Sequence, residues 1–182
     1  MDKQRLVQTA QALVADKKGI LAADESGGTI KRRFDSINVE STETSRRDYR
    51  EMLFRTAGVS DFISGVILFD ETIRQEGADG TPMVKVLSDQ GIIPGIKVDK
   101  GTIPLPNAPD ELVTEGLDGL RDRLNEYAQL GAGFTKWRAV INITDDTPTQ
   151  YSIAANAHAL ARFAALSQEA GLVPIVEPEI LR

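Results

Sequence analysis

The sequence predicts a parallel α/β fold, and three observations carry that prediction. Apolar segments rich in Ile, Val and Leu recur along 182 residues. Helical patterns of period 3.6 separate them. Turn residues, above all glycine, stand at the junctions. Strands that are near-continuous apolar runs are covered on both faces, as parallel strands are, and strict alternation with helices implies βαβ units.

The N-terminal stretch "MDKQRLVQTAQALVADKKG" reads as a polar amphipathic helix and lacks the apolar centre of a signal peptide. The first strand is Gly19–Asp24. A Gly-bearing turn, "ESGGT", leads into a second helix. Residues 41–58 form a helical pattern with Tyr49, Met52 and Leu53 on one face, ending at Gly58. The second strand is Phe62–Asp70, followed by the turn "GADGTP" and a short helix over "MVKVLSDQ". Gly91–Asp99 is the third strand. Leu117, Leu120, Leu124 and Tyr127 recur at helical spacing before Gly131, and Phe134–Ile143 is the fourth strand. A long helix starts around Thr147 and Pro148 and stops at Gly171. The fifth strand, Leu172–Ile180, closes the series.

Composition bounds the function. The chain is 41% hydrophobic and 26% charged, which is ordinary for a globular domain with a sizeable core. The net charge of −6 argues against a general nucleic-acid or membrane-surface binder. No apolar run is long enough for a membrane span. The absence of cysteine excludes disulfides and thiolate metal ligation. Any anionic ligand must therefore be drawn by a local basic cluster.

Such a cluster is present, inside the strands. Residues two apart in a strand share a face. Lys136 and Arg138 therefore share one face, with Trp137 on the other. Lys97 pairs in the same way with Asp99, and Glu177 with Glu179; the first strand ends in Asp24. Buried charge is costly unless paired or used. In a parallel barrel, inward residues at the C-terminal strand ends face the active-site mouth. The charged residues are accordingly expected there, with Glu177 in reach of Lys136. Lys97, Lys136 and Arg138 suit a phosphate or other small anion. Asp24, Glu177 and Glu179 are candidate acids and bases. A lysine among cations has a lowered pKa and serves as an amine nucleophile. A divalent-metal site built from the carboxylates is the weaker reading. The turn after the first strand offers backbone N–H groups at a helix N-terminus, with hydroxyls from Ser26 and Thr29 and charge from Arg33. The one histidine, His158, lies mid-helix and reads as a structural or surface residue.

Taken together, "GILAADESGGTIKRRF", "GVILFDET", "GIKVDKG", "KWRAVINI" and "VPIVEPEIL", in this order and spacing, closely resemble class I fructose-bisphosphate aldolase over nearly the whole chain. The resemblance implies a (β/α)8 TIM barrel that reversibly cleaves fructose 1,6-bisphosphate to dihydroxyacetone phosphate and glyceraldehyde 3-phosphate in glycolysis and gluconeogenesis. It implies a lysine Schiff base, no metal or other cofactor, a cytoplasmic homotetramer, and no nucleic-acid or membrane partner. Residue by residue, it implies that Asp24 orients and deprotonates the substrate hydroxyl. Ser26 and, less closely matched, Thr29 bind phosphate, with Arg33 nearby. Lys97 binds substrate, Lys136 assists carbinolamine and Schiff-base chemistry, and Arg138 helps hold the phosphate. Glu177 is the acid/base for carbinolamine dehydration, and Glu179 tunes the lysine pair.

In the family the Schiff-base lysine lies on a sixth strand, beyond the "VEPE" segment. The expectation is therefore a single incomplete barrel domain over residues 1–182, comprising the N-terminal helix and about the first five βα units, truncated and inactive alone. Two other readings stay open at this point: a non-catalytic fragment with a partial sugar-phosphate site that acts as a binding or assembly partner, and a different phosphosugar barrel, such as an isomerase or a metal-dependent aldolase.

Overall fold

In the computed structural model, which describes residues 2–182, five parallel strands form one sheet in the order β1-β2-β3-β6-β7. These are β1 (Gly19–Ala23), β2 (Ile63–Leu68), β3 (Ile93–Lys97), β6 (Phe134–Asn142) and β7 (Val173–Leu181). They correspond to the five predicted strands, and their spatial order follows the chain. Helix α1 (Lys3–Leu13) precedes the sheet, and α2 (Gly27–Asp35), α3 (Glu43–Phe54) and α4 (Val59–Phe62) link β1 to β2. Short helices α5 (Asp70–Ile73) and α6 (Met83–Ser88) link β2 to β3; α7 (Leu120–Gln129) and α8 (Gln150–Glu169) flank β6.

Alternation along the strands separates two cores. Leu68, Ile96, Trp137 and their neighbours face the helices and pack with Phe54, Leu120, Leu124 and Phe163. Trp137 is fully buried, its ring 5.5 Å from that of Phe163 on α8. The other face of the sheet changes character along its length. At the N-terminal strand ends it is apolar, where Leu13 of α1 plugs against Ile67, Phe134, Ile20 and Ile93. Gly95 is required there: a Cβ would fall 2.3 Å from the Phe134 ring. Toward the C-terminal ends the same face turns to charge: Phe134 gives way to Lys136 and Arg138, and Val173 and Ile175 to Glu177 and Glu179.

This face is concave. Asp24 at the end of β1 and Lys136 on β6 are separated by three inter-strand spacings, about 14 Å on a flat sheet. Their charged atoms nevertheless meet at 2.8 Å. Only a sheet that curls toward this face brings them together.

Several details differ from the sequence reading. On α3 the buried residues are Arg50 and Phe54, and Met52 is exposed. Phe62 closes α4 and is exposed, so β2 starts one residue later. Helix α8 begins at Gln150, capped by Thr149 and not by Thr147. Residues 102–114, unassigned from sequence, form an antiparallel hairpin of β4 (Thr102–Leu105) and β5 (Ala108–Thr114). It straps the end of β6: the Thr114 hydroxyl donates to the Arg138 carbonyl at 2.7 Å, and Asn156 of α8 donates to the Leu112 carbonyl at 2.9 Å. Buried Glu111 accepts from the Thr149 N–H (2.7 Å) and hydroxyl (2.6 Å), closing the start of α8.

Candidate active site

The charged ends of the strands open into a cavity of about 850 Å3. Every site residue predicted from sequence lines it: Asp24, Ser26, Thr29, Arg33, Lys97, Lys136, Arg138, Glu177 and Glu179. Their positions follow from strand register. Lys97 and Lys136 stand side by side on β3 and β6, and Arg138 lies beside Glu177 on β7. Two adjacent lysines would repel, and each is drawn to a different carboxylate. Lys97 pairs with Asp99, the residue two further along the same face. Lys136 reaches across the curl to Asp24 at 2.8 Å and sideways to Glu177 at 3.1 Å. Arg138 pairs diagonally with Glu179.

Lys136 is buried, and burial acts to lower its pKa. The contacts with Asp24 and then Glu177 outweigh burial and leave it raised above the ordinary value of 10.5. Lys136 is therefore an ammonium at neutral pH. This corrects the expectation of a lysine made nucleophilic by neighbouring cations: its nearest charged partners are carboxylates. The basic pocket expected around Lys97, Lys136 and Arg138 is likewise a set of ion pairs, each cation holding an acidic partner.

The turn after β1 supplies the opposite wall. Ser26 is the N-cap position of α2; its carbonyl accepts from the Thr29 N–H (2.9 Å) and the Ile30 N–H (3.0 Å), and its hydroxyl lies 3.3 Å from that of Thr29. Space is open around Gly27 and Gly28, which leaves the helix N-terminus bare toward solvent. Arg33 projects from α2 and pairs with Glu25.

The sequence pairs Asp99 with Lys97 but gives it no further role, and Arg123 and Tyr127 are not among the expected site residues. Asp99 is buried; besides Lys97 it accepts from the N–H of Gly101 at 3.1 Å and of Arg138 at 3.3 Å, so it fixes two strand ends. The two-residue spacing from Lys97 pointed to the ion pair, not to these backbone contacts. Arg123 of α7 donates to the Val98 carbonyl (2.9 Å) and the Gly116 carbonyl (2.6 Å), tying the β3 exit to the end of the hairpin. Tyr127 donates to Asp70 at 2.7 Å; burial first, then this bond, raises the tyrosine pKa. Among the described residues, no cluster of three or more His, Asp or Glu side chains could hold a metal ion. No helix among them is long and apolar enough to cross a membrane.

A curled parallel sheet with acid–base groups and cations at its C-terminal strand ends is the arrangement of the α/β barrel class of enzymes. Comparisons narrow the class. The family model described as "Glycolytic: Fructose-bisphosphate aldolase class-I" matches residues 5–182, and the chain belongs to this family of lyases. It is 62% identical to a probable fructose-bisphosphate aldolase class 1 of Xylella fastidiosa over 181 residues, covering 100% of this chain and 54% of the relative. Against the cytosolic fructose-bisphosphate aldolase 6 of Arabidopsis thaliana it is 54% identical, covering 97% of this chain and 49% of that protein. Among solved structures it superimposes on the Plasmodium falciparum aldolase, crystallised in complex with TRAP and a small-molecule inhibitor. The TM-score is 0.96 at 53% identity, over 98% of this chain and 52% of the other. The chain spans about half the length of the curated relatives it matches.

Proposed function

We propose that this chain carries the acid–base groups and one phosphate-binding wall of a class I fructose-bisphosphate aldolase, and that its five strands belong to an eight-stranded barrel domain. The reaction is the reversible cleavage of fructose 1,6-bisphosphate to dihydroxyacetone phosphate and glyceraldehyde 3-phosphate, in the cytoplasm and without a cofactor. The homotetramer usual in the family is part of the same proposal. The observation that carries the reading is the Lys136 ammonium held between Asp24 and Glu177 in a cavity also lined by Lys97, Arg138 and the open N-terminus of α2.

Each group then has a task its surroundings support. Lys136 lacks a lone pair, so it is not the amine that attacks the substrate carbonyl. As a buried cation it stabilises negative charge developing on the substrate oxygen. Glu177 is 40% exposed and touches Lys136, so it can meet both substrate and solvent. Having taken up a proton from solvent, it gives the proton with which the hydroxyl of a carbinolamine, formed with the sixth-strand lysine of the family, leaves as water. Asp24, buried on the far side of Lys136, accepts the hydroxyl proton as the carbon–carbon bond breaks. Ser26, Thr29 and Arg33 hold one phosphate by the helix N-terminus. Lys97 and Arg138 bind the anionic substrate, and Glu179 holds Arg138 in place.

Calorimetric titration with fructose 1,6-bisphosphate tests the reading. Saturable binding is expected, weakened by Arg138→Met and absent with unphosphorylated fructose. No binding, or equal binding of the unphosphorylated sugar, overturns it.

A further inference from the structure

Arg50 of α3 is fully buried, yet its guanidinium is poorly satisfied. Nη2 donates to the Glu25 carbonyl at 2.7 Å, while Nε and Nη1 have no hydrogen-bond partner. The Glu25 carboxylate lies 3.9 Å away and that of Glu71 3.8 Å, within ion-pair range but outside hydrogen-bond range. The guanidinium also sits over the Phe69 ring at 5.8 Å. Glu71 is itself held by Arg46 through two bonds, of 2.8 and 2.5 Å.

An incompletely bonded buried cation costs stability that an apolar residue would not. What it holds is specific. Glu25 and Phe69, which follow the ends of β1 and β2, both line the cavity. Glu25 lies between Asp24 and Ser26 in the chain, and its carboxylate carries the ion pair to Arg33. One buried guanidinium thus links two strand ends from behind, through a bond to the Glu25 carbonyl and its place over the Phe69 ring, with the Glu25 carboxylate within ion-pair range.

We propose that Arg50 is a positioning residue for the anion-binding wall: by bonding the Glu25 backbone carbonyl and placing its charge 3.9 Å from the Glu25 carboxylate, it sets where Arg33 and the α2 N-terminus meet the ligand. The inference rests on the proposed phosphate contact of Arg33. It also accounts for Glu25, whose side chain is only 7% exposed although it lines the cavity.

The test is a double-mutant cycle on the 182-residue chain, read as fructose 1,6-bisphosphate affinity by calorimetry, with folding checked by circular dichroism in the same samples. Arg50→Lys keeps the charge but loses the fork. Arg50→Lys and Arg33→Gln are each expected to weaken binding about tenfold, and the double variant also about tenfold, because both act through one contact. A double variant about a hundredfold weaker than wild type, the product of independent effects, overturns the proposal. So does Arg50→Lys with lowered melting temperature and unchanged affinity, which marks structural support alone. If Arg50→Lys does not fold, Glu25→Gln takes its place in the cycle with the same expectations. A wild-type chain that does not bind fructose 1,6-bisphosphate overturns the functional reading, and this inference with it.

Discussion

Asp24 and Lys136 touch at 2.8 Å across a sheet in which two other strands, β2 and β3, lie between them. The contact states the curvature of the sheet and the charge state of the lysine at once. Glu177 closes the triad from the neighbouring strand at 3.1 Å. Because the Lys136 pKa is raised in the folded state, its contribution to stability is full below the ordinary lysine value of 10.5 and is lost as pH climbs through the higher folded value. Lys136→Met leaves Asp24 buried and unpaired and is expected to cost about 3 kcal/mol at neutral pH. Urea midpoints of wild type and variant should differ fully at neutral pH and converge only above the ordinary lysine value. A difference independent of pH would refute the triad as drawn. The same charge state predicts that borohydride, added with dihydroxyacetone phosphate, leaves no adduct on Lys136; a stoichiometric adduct mapped there by mass spectrometry would refute its role as a cation.

The apolar end of the concave face makes a separate prediction. Gly95 faces the Phe134 ring, and a methyl group at Gly95 would fall 2.3 Å from it. Gly95→Ala is therefore expected to destabilise the fold by about 3 kcal/mol, the upper range for overpacking a close-packed interior. Phe134→Leu opens space at the same spot, so the double variant should lose less than the two single losses combined. Additive losses in a urea cycle would place the clash elsewhere.

How much of this was legible in the sequence follows from the range of each interaction. Apolar runs marked all five sheet strands, and the two-residue rule put Lys136, Arg138, Glu177 and Glu179 on one face, because strand periodicity is local. The hairpin at 102–114 was not legible: its strands are short and carry Pro104 and Pro109, which weaken the alternating signal. The contact of Lys136 with Asp24 was also hidden, since it depends on curvature that no local pattern encodes, whereas the pairing of Lys97 with Asp99 and the approach of Glu177 to Lys136 followed from strand periodicity and strand order. Arg50 was not legible either. Nothing in "SRRDYREM" sets it apart from its neighbouring charges, and only packing against the ends of β1 and β2 shows it buried.

Glu111 links the hairpin to α8, and this link predicts a pH response. The carboxylate accepts from the Thr149 hydroxyl and N–H, and the hydroxyl bond, ahead of every other influence, lowers its pKa below 4.5. A depressed carboxylate stabilises the fold above its unfolded value and loses that contribution as pH falls through the folded one. Glu111→Gln should therefore be less stable than wild type at neutral pH and equal to it in acid well below pH 4.5. Hydrogen exchange gives the local reading: amides in the first turn of α8 should exchange faster in the variant, while those near its C-terminus keep their protection. Uniform loss of protection along α8 would show that the hairpin contact is not the cap.

The pairing of Arg33, Lys97, Lys136 and Arg138 with carboxylates sets the last expectation. A phosphate entering the cavity meets at Arg138 a guanidinium whose Nε and charge are already engaged by Glu179. Binding is an exchange of counter-ions, and the carboxylate competes with the ligand. Both partners are about two-fifths exposed, which limits the strength of the pair. Glu179→Gln should thus tighten binding of inorganic phosphate modestly, about fivefold at low ionic strength, and the gain should shrink as salt screens the site. Catalysis would not follow the same direction, since Glu179 also holds Arg138 in place. Phosphate affinity that falls in Glu179→Gln would mean that Glu179 organises Arg138 more than it competes for it, and the counter-ion exchange would have to be abandoned.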